Sequence, residues 1–303
     1  MFDRRIGRLR HVRHDMSKPR VAITVGDPAG IGPEIAARAA ADPRVLEVCE
    51  PRLYGPPAGA RFAPGVLSGD AGRAAYDAIV RAVDDARHGV VDAMATAPVN
   101  KEAFRLAGLP WSGHTDLLAH LTNAPHVAMM FYSEALTVVL ATVHIALAEV
   151  PRALTRESLE ATIALTAREL PRFGVAAPRI AVAGLNPHAG EHGLFGREEE
   201  TVIAPAIAAL RRRGVDVAGP FPGDTVFVRA RRGEFDAVVA CYHDQGLIPV
   251  KLVAFGEAVN VTLGLPIVRT SVDHGTAFDI AGTGVANPDS MIAAVRLAAR
   301  LAR

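Results

Sequence analysis

The sequence is poor in cysteine, in net charge and in long apolar stretches, and each shortage excludes a class of protein. Cys49 and Cys241 are the two cysteines in 303 residues, which excludes a disulfide framework and a cysteine-rich zinc site. Lys and Arg number 33 against 32 Asp and Glu, which argues against nucleic-acid binding through bulk positive charge. No apolar run approaches the ~20 residues that span a bilayer. We therefore predict a cytoplasmic protein that binds neither nucleic acid nor membrane.

Apolar residues are abundant and are arranged in alternating strand-like and helix-like segments. Half of the residues are apolar and 21% are charged, a composition typical of a globular protein with a large core. Apolar runs at 21–25 and 237–240 alternate with a helix-like segment at 71–87, and residues 45–53 are also predicted to be extended. The runs at 127–131 and 136–144 are predicted to pair as a hairpin. The alternation predicts an α/β fold with a largely parallel sheet.

The N-terminal residues are dense in Arg and Lys. They contain no apolar stretch and no small-residue cleavage pattern, so they do not form a secretory signal. Met16 stands just before the first apolar run and is an alternative start position. We predict that residues 1–18 are a disordered tail without a packed role.

Polar residues follow several of the strand-like runs, where ligands bind in open α/β sheets. Residues 26–34 read GDPAGIGPE, which matches neither G-x-G-x-x-G nor a P-loop, so a tight turn and a phosphate loop both remain open. Lys101 follows another run and is either a ligand contact or an exposed lysine at a helix start. His114 and Thr115 can donate hydrogen bonds to an anion, while Thr115 or Asp116 can also cap a helix.

Three histidines each follow an apolar strand-like run. His144, His188 and His243 are separated by 44 and 55 residues, which excludes a local zinc finger or an H-E-x-x-H site. The spacing permits a site assembled at one edge of a sheet. Three imidazoles with open positions suit a catalytic divalent metal ion, and three structural histidines are the alternative.

Near the C-terminus, residues 272–288 form a Gly-rich segment before a helix. In that setting Asn287 is expected to be the N-cap, with Pro288 as the first helical residue.

Six motifs in this order, from about residue 21 to the C-terminus, resemble the 4-hydroxythreonine-4-phosphate dehydrogenase family of pyridoxal phosphate biosynthesis. The family has a sister group that oxidises 4-phosphoerythronate or 4-phospho-D-threonate. The motifs are GDPAGIGPE (26–34), TAPVNKEA (96–103), GHTDLLA (113–119), LNPHAGE (185–191), YHDQG (242–246) and GLPIVRTSVDHGTAFDIAG (264–282). The last motif also resembles the nucleotide loop of isocitrate and isopropylmalate dehydrogenases.

The resemblance implies an isocitrate/isopropylmalate dehydrogenase-like α/β fold of two domains with a cleft between them. It implies a nucleotide-binding domain at 19–122 plus 267–303 and a metal- and dimer-forming domain at 123–266. It also implies a homodimer with the active site shared across the interface, and NAD or NADP bound without G-x-G-x-x-G. The segment 54–69 is shorter than in the family, which leaves lid elements and substrate choice open.

The resemblance also assigns roles to individual residues. His144, His188 and His243 match the ligands of one divalent metal ion (Zn, Mg, Mn or Co), and we expect His243 to be supplied by the neighbouring subunit. Substrate contacts match His114, Thr115, Lys251, Asn260 and Arg269. Nucleotide contacts match His274, Gly275, Asp279 and Asn287. The proton acceptor is left open between Asp244, Asp224 and Lys101.

The implied reaction is oxidation, with decarboxylation, of 4-(phosphooxy)-L-threonine to 3-amino-2-oxopropyl phosphate in vitamin B6 biosynthesis. The metal ion would lower the pKa of the reacting hydroxyl, and Lys251 and Arg269 would anchor the remote phosphate. The first alternative is 4-phosphoerythronate or 4-phospho-D-threonate 3-dehydrogenase activity in sugar-acid catabolism. A phosphate-binding acyltransferase and a non-catalytic binding protein on a similar fold are further alternatives.

Overall fold

The computed structural model describes residues 18–303 and has a single ten-stranded sheet as its framework. The strands are β1 (Arg20–Thr24), β2 (Glu50–Tyr54), β3 (Ala93–Thr96), β4 (Ala128–Tyr132), β5 (Val138–Leu140), β6 (Ile180–Ala183), β7 (Val217–Phe221), β8 (Ala237–Ala240), β9 (Val259–Leu263) and β10 (Arg269–Ser271). Of the predicted tail at 1–18, residues 1–17 lie outside the described residues, and Lys18 donates a hydrogen bond to Leu46 O at 2.6 Å.

Helices precede or follow most of the strands, which confirms the predicted α/β class. They are α1 (Gly32–Ala41), α2 (Pro43–Leu46), α3 (Gly69–Arg87), α4 (Lys101–Leu106), α5 (His114–Thr122), α6 (Val150–Ala153), α7 (Arg156–Glu169), α8 (Ala204–Arg212), α9 (Gly223–Arg231), α10 (His243–Ala254) and α11 (Asp289–Leu301). None of the helices within residues 18–303 is long and apolar enough to cross a bilayer.

The sheet consists of two parallel blocks joined by antiparallel strands. Its order is β2-β1-β3-β10-β9-β4-β5-β8-β6-β7. The first block is β2-β1-β3-β10 and the second is β5-β8-β6-β7. Strands β9 and β4 run antiparallel to their neighbours, and β4 pairs with β5 as the predicted hairpin. Carboxyl ends of β5, β8 and β6 therefore lie at one edge.

Both faces of the sheet are buried, which explains why its strands read as continuous apolar runs. Val21 and Ile23 of β1 pack in one cluster with Ile35 of α1. Ala22, which points to the opposite face, packs in a second cluster with Ile79 of α3. Successive residues of one strand thus contribute to different layers of the core.

One predicted extended segment is partly helical. The apolar run at 45–53 was expected to be a single strand, but residues 43–46 form α2 and the strand starts at Glu50. Asp42 accepts a hydrogen bond from the backbone N–H of Arg44, and Pro43 occupies the first turn. This capping arrangement favours a helical turn over the extension that the apolar residues indicate.

Helices α3 and α4 cross with their backbones in close contact at Gly72. A Cβ atom at Gly72 would lie 2.2 Å from the carbonyl oxygen of Ala103. Because that oxygen belongs to the backbone of α4, the two helices would have to separate to accept any side chain. Lys101 is the first residue of α4, so this contact also positions the start of that helix.

We predict that Gly72→Ala destabilises the protein although alanine is the better helix former. Overpacking costs about 1–3 kcal/mol, whereas the gain in helix propensity is about 1 kcal/mol. Urea denaturation should show a lower free energy of unfolding for Gly72→Ala. Asp77→Ala, at an exposed position of the same helix, should stay within about 0.5 kcal/mol of the native protein. A Gly72→Ala protein as stable as Asp77→Ala would contradict the packing argument.

Candidate active site

Arg269 is a buried cation that has no acidic partner in residues 18–303. It opens β10 and is 2% exposed. Its Nη1 donates to Thr262 Oγ1 at 2.8 Å and its Nη2 to Thr96 Oγ1 at 2.6 Å, while Nε has no partner. Burial lowers the pKa of Arg269 to about 9. Because an isolated buried charge is costly, this guanidinium indicates a site for an anion that the chain itself does not supply.

His114 and Asn260 add unsatisfied polar atoms beside this guanidinium. The Nε2 atom of His114 and the Oδ1 atom of Asn260 are buried without a hydrogen-bond partner. Burial and the charge of Arg269 hold the pKa of His114 well below its usual value, so this imidazole is neutral at pH 7. Asn260 lies two residues before Thr262 on β9, which places both on the same face of that strand.

The start of α5 contributes further donors to this group. The helix begins at His114 without a side-chain cap, so Thr115 lies in its first turn and the expected cap at Thr115 or Asp116 is wrong. Asp116 instead accepts a hydrogen bond from the hydroxyl of Ser112. The first N–H groups of the helix therefore stay available to an anion. We call Arg269, His114, Thr115 and Asn260 the anion pocket.

Lys101 connects the anion pocket to the histidines. It is exposed at the start of α4, and its Cε lies 4.0 Å from the position that a Gly113 Cβ would take. Burial lowers the pKa of His144, and the charges of Lys101 and His243 lower it further, while Asp116 acts in the opposite direction. The start of α4, the start of α5 and His144 therefore lie close together.

His144 and His243 form a pair within one chain. Their ring centroids are 5.4 Å apart, because they follow β5 and β8, which are adjacent parallel strands. His243 Nδ1 lies 2.7 Å from Asp244 Oδ1, which leaves Nε2 available. A cavity of 230 Å³ lies beside the pair and is also lined by Tyr242 and Leu147.

His188 stands apart from this pair. It follows β6, the strand next to β8. In the part of the chain that the structure describes, no three His, Cys, Asp or Glu side chains are grouped so that they could hold a metal ion. We expected the neighbouring subunit to supply His243. The structure instead places His243 beside His144 of its own chain, because β5 pairs with β8.

The C-terminal loop packs against residues 26–34. Ile31 N–H donates to Thr276 O at 3.0 Å, and Gly284 N–H donates to Glu34 Oε2 at 2.9 Å. A Cβ atom at Gly30 would lie 2.8 Å from Thr276 O. Residues 26–34 are therefore a tight turn that supports this loop.

The four predicted nucleotide residues all lie on this loop or at its end. His274 Nε2 is buried without a partner, while Gly275 has open space where a Cβ would point and Asp279 is exposed. Asn287 Oδ1 accepts from Asp289 N–H at 2.8 Å, as expected of an N-cap, although α11 starts at Asp289, one residue later than expected. A cavity of 490 Å³ beside Asn287 is also lined by Arg38 and Arg44.

Two further predicted residues lie outside these groups. Lys251 is exposed on α10 and makes no side-chain hydrogen bond or ion pair within residues 18–303. Asp224 is exposed in the first turn of α9.

Sequence reasoning missed Gln245, which links two strand ends below the histidine pair. Its Oε1 accepts from Cys241 N–H at 2.7 Å, and its Nε2 donates to Gly184 O at 2.7 Å. Gln245 thereby ties the end of β8 to the end of β6. Its place in YHDQG was the available signal, but a glutamine beside a histidine and an aspartate does not indicate its partners.

Comparison with known proteins identifies close relatives over nearly the whole chain. The family model described as "Pyridoxal phosphate biosynthetic protein PdxA" matches residues 15–298. A 4-hydroxythreonine-4-phosphate dehydrogenase of Desulforapulum autotrophicum is 46% identical over 93% of this chain and 95% of its own. A D-threonate 4-phosphate dehydrogenase of Salmonella typhimurium is 45% identical over 95% of this chain and 100% of its own.

Solved structures confirm the predicted fold class. A 4-hydroxythreonine-4-phosphate dehydrogenase from Klebsiella pneumoniae superposes with a TM-score of 0.82 at 44% identity, covering 94% of this chain and 98% of its own. A β-decarboxylating dehydrogenase from Thermococcus kodakarensis shares the fold with a TM-score of 0.52 at 18% identity, covering 93% of this chain and 81% of its own.

We predict that inorganic phosphate stabilises the native protein and that Arg269→Met abolishes this effect. A ligand that binds the folded state at about 100 times its Kd adds about 2.7 kcal/mol of stability. Tm should rise with phosphate in the native protein and stay constant in Arg269→Met. Arg179→Met provides the control, since Arg179 is exposed and pairs with Asp236 at 2.9 Å. A phosphate response retained by Arg269→Met would remove Arg269 from the anion pocket.

Proposed function

The chain belongs to the PdxA family of pyridoxal phosphate biosynthetic proteins, and we propose that it catalyses the NAD-dependent oxidation and decarboxylation of 4-(phosphooxy)-L-threonine to 3-amino-2-oxopropyl phosphate. The observation that carries the proposal is the unpaired, 2% exposed guanidinium of Arg269 beside the unsatisfied polar atoms of His114 and Asn260. A dianionic phosphate supplies the negative charge that balances Arg269 and an acceptor for its unpartnered Nε–H.

The anion pocket would bind the substrate phosphate away from the reacting carbon. Arg269 offers its free Nε–H, and the first N–H groups of α5 are free of side-chain caps. Charge-assisted hydrogen bonds of this kind contribute roughly 1.5–3 kcal/mol each. Binding energy from this remote group positions the reacting carbon toward the histidine pair.

The histidine pair fits a divalent metal ion. The hydrogen bond that His243 Nδ1–H donates to the Asp244 carboxylate leaves Nε2 available, and the lowered pKa of His144 favours the neutral ring that binds metals. We assign His144 and His243 of one subunit and His188 of the partner subunit as its ligands. When bound, the ion lowers the pKa of the substrate hydroxyl and stabilises negative charge on that oxygen.

The C-terminal loop fits a nicotinamide dinucleotide. His274 has a buried, unpartnered Nε2, and the cavity beside Asn287 has room for part of a nucleotide. His274, Gly275, Asp279 and Asn287 would hold NAD or NADP, which accepts the hydride when bound.

Among the three candidates for the proton acceptor, the contacts favour Lys101, which would accept the proton in its neutral amine form. It lies beside the start of α5, and it is close enough to His144 for its charge to lower the pKa of that imidazole. Asp244 is hydrogen-bonded to His243 and would orient that ring, while Asp224 is exposed on α9. Lys101 is therefore the candidate that neighbours both the anion pocket and the histidine pair.

We further propose a homodimer of two-domain subunits. Residues 19–122 plus 267–303 contain the first parallel block and the nucleotide loop, and residues 123–266 contain the second block and the histidines. Ile248, Leu252 and Phe255 are 66%, 84% and 79% exposed along α10. An apolar face of this kind beside an incomplete metal site suits contact with a second copy of the chain.

We predict the highest kcat/KM for 4-(phosphooxy)-L-threonine when NADH formation is followed by absorbance with NAD and a divalent metal ion. The competing substrates are 4-phospho-D-threonate and 4-phosphoerythronate, since relatives named for a D-threonate phosphate are nearly as similar. Arg269→Ala should raise KM strongly through loss of the phosphate contact, with Arg179→Met as control. A higher kcat/KM for a competitor would reassign the substrate, and no turnover of any of them would contradict the proposal.

We predict that mixed dimers distinguish the two possible partner ligands. Mixing inactive His144→Ala with inactive His188→Ala should restore activity, because one site of each mixed dimer then contains no substituted ligand. Mixing His144→Ala with His243→Ala should restore none, because those ligands come from the same chain. Activity restored by the second mixture and not by the first would return His243 to the partner.

A further inference from the structure

We propose that Glu199 is a positioning residue that holds residues 188–192 in a left-handed conformation and so directs His188 toward the metal site. The inference rests on the proposed function in one respect: it takes His188 as a metal ligand. It adds a residue that carries no assigned role and that lies eleven positions further along the chain.

Residues 188–192 adopt an unfavourable backbone conformation without interruption. Their φ angles are +50, +53, +83, +43 and +56°, and glycine occupies the third position alone. The left-handed region places the Cβ of an L-residue too close to the neighbouring carbonyl oxygen, so runs of this kind are rare. Such a segment persists where surrounding contacts over-determine it, which occurs mostly at functional sites.

Glu199 bonds to Asn186, the residue that leads into this segment. It starts a π-helical turn (Glu199–Ile203) and is 4% exposed. Its Oε1 accepts from Asn186 N–H at 2.7 Å, and its Oε2 accepts from Asn186 Nδ2 at 3.0 Å. It has no ion pair with Lys, Arg or His among the described residues. A buried carboxylate without a cation is costly, so its bonds to Asn186 account for its position.

The left-handed segment also folds over the carboxylate. A Cβ atom at Gly190 would lie 2.7 Å from Glu199 Oε2. On the other side, a Cβ atom at Gly184 would lie 2.9 Å from the Cβ of Ala189 and 3.3 Å from Glu199 Oε1. Glu199 is thus enclosed between the end of β6 and the segment. Asn186, two residues before His188, is the fixed point from which the segment turns.

The experiment compares four variants of the full-length protein by Zn²⁺ titration calorimetry and by hydrogen exchange of residues 186–196. Glu199→Gln removes the charge and turns an amide N–H₂ toward a donor of Asn186. Glu200→Gln is the control, since Glu200 is the exposed next residue and pairs with Arg197 at 3.3 Å. Asn186→Ala removes the side-chain donor and keeps the backbone one. His188→Ala reports on the ligand itself.

We expect Glu199→Gln to weaken Zn²⁺ binding by about 10–100-fold, as loss of an outer contact to a metal ligand does. Exchange of residues 186–196 should become faster, and Glu200→Gln should match the native protein in both measurements. Should Glu199→Gln fail to fold, Asn186→Ala is expected to show the same two changes.

Two outcomes would overturn the proposal and are distinguishable. Native Zn²⁺ affinity in Glu199→Gln and Asn186→Ala, with affinity lost in His188→Ala, would show that His188 is a ligand that does not need this support. Native affinity in His188→Ala would overturn the metal assignment of the proposed function together with the inference drawn from it.

Discussion

The insertion of β10 between β3 and β9 is the constraint on which the rest of the molecule depends. Arg269 pairs in register with Met94, and Ser271 pairs with both Thr96 and Asn260. A strand from near the C-terminus thereby closes the first parallel block and joins it to the antiparallel strands. The same insertion buries Arg269 between the hydroxyls of Thr96 and Thr262, and it directs residues 274–284 onto the turn at 26–34.

That arrangement leaves several buried polar groups without hydrogen-bond partners. Buried polar groups are normally paired, yet the unpartnered buried atoms of this chain include those of Arg269, His114, Asn260 and His274. Each unpartnered buried group costs free energy in the folded protein. Apolar packing on both faces of the sheet offsets this cost, which explains why the unsatisfied groups can coexist with a stable core.

The second parallel block organises a different part of the site. Pairing of β5 with β8 brings His144 and His243 together, and Gln245 ties β8 to β6 from below. His188 follows a third strand but turns away through a left-handed segment supported by Glu199. One chain thus places two of the three histidines together and leaves the third apart, beside an exposed apolar helix face.

The α/β class, the hairpin of β4 and β5 and most strands could be predicted from the sequence, because continuous apolar runs and turn residues are local signals. Roles for His114, Asn260, Arg269 and the three histidines were predicted only through the resemblance of whole motifs, since a single arginine carries no sign of its burial. Which side chains come into contact depends on the tertiary structure. Strand order is set by pairing between segments that are far apart in the sequence. Local sequence patterns therefore do not predict the insertion of β10, the His144–His243 pair or the Gln245 bridge. Helix α2 differed because capping by Asp42 overrode the apolar pattern, whereas α5 starts at His114 without a side-chain cap. Glu199 and Asn186 could not be predicted from the sequence, because their contacts form only when the fold encloses them.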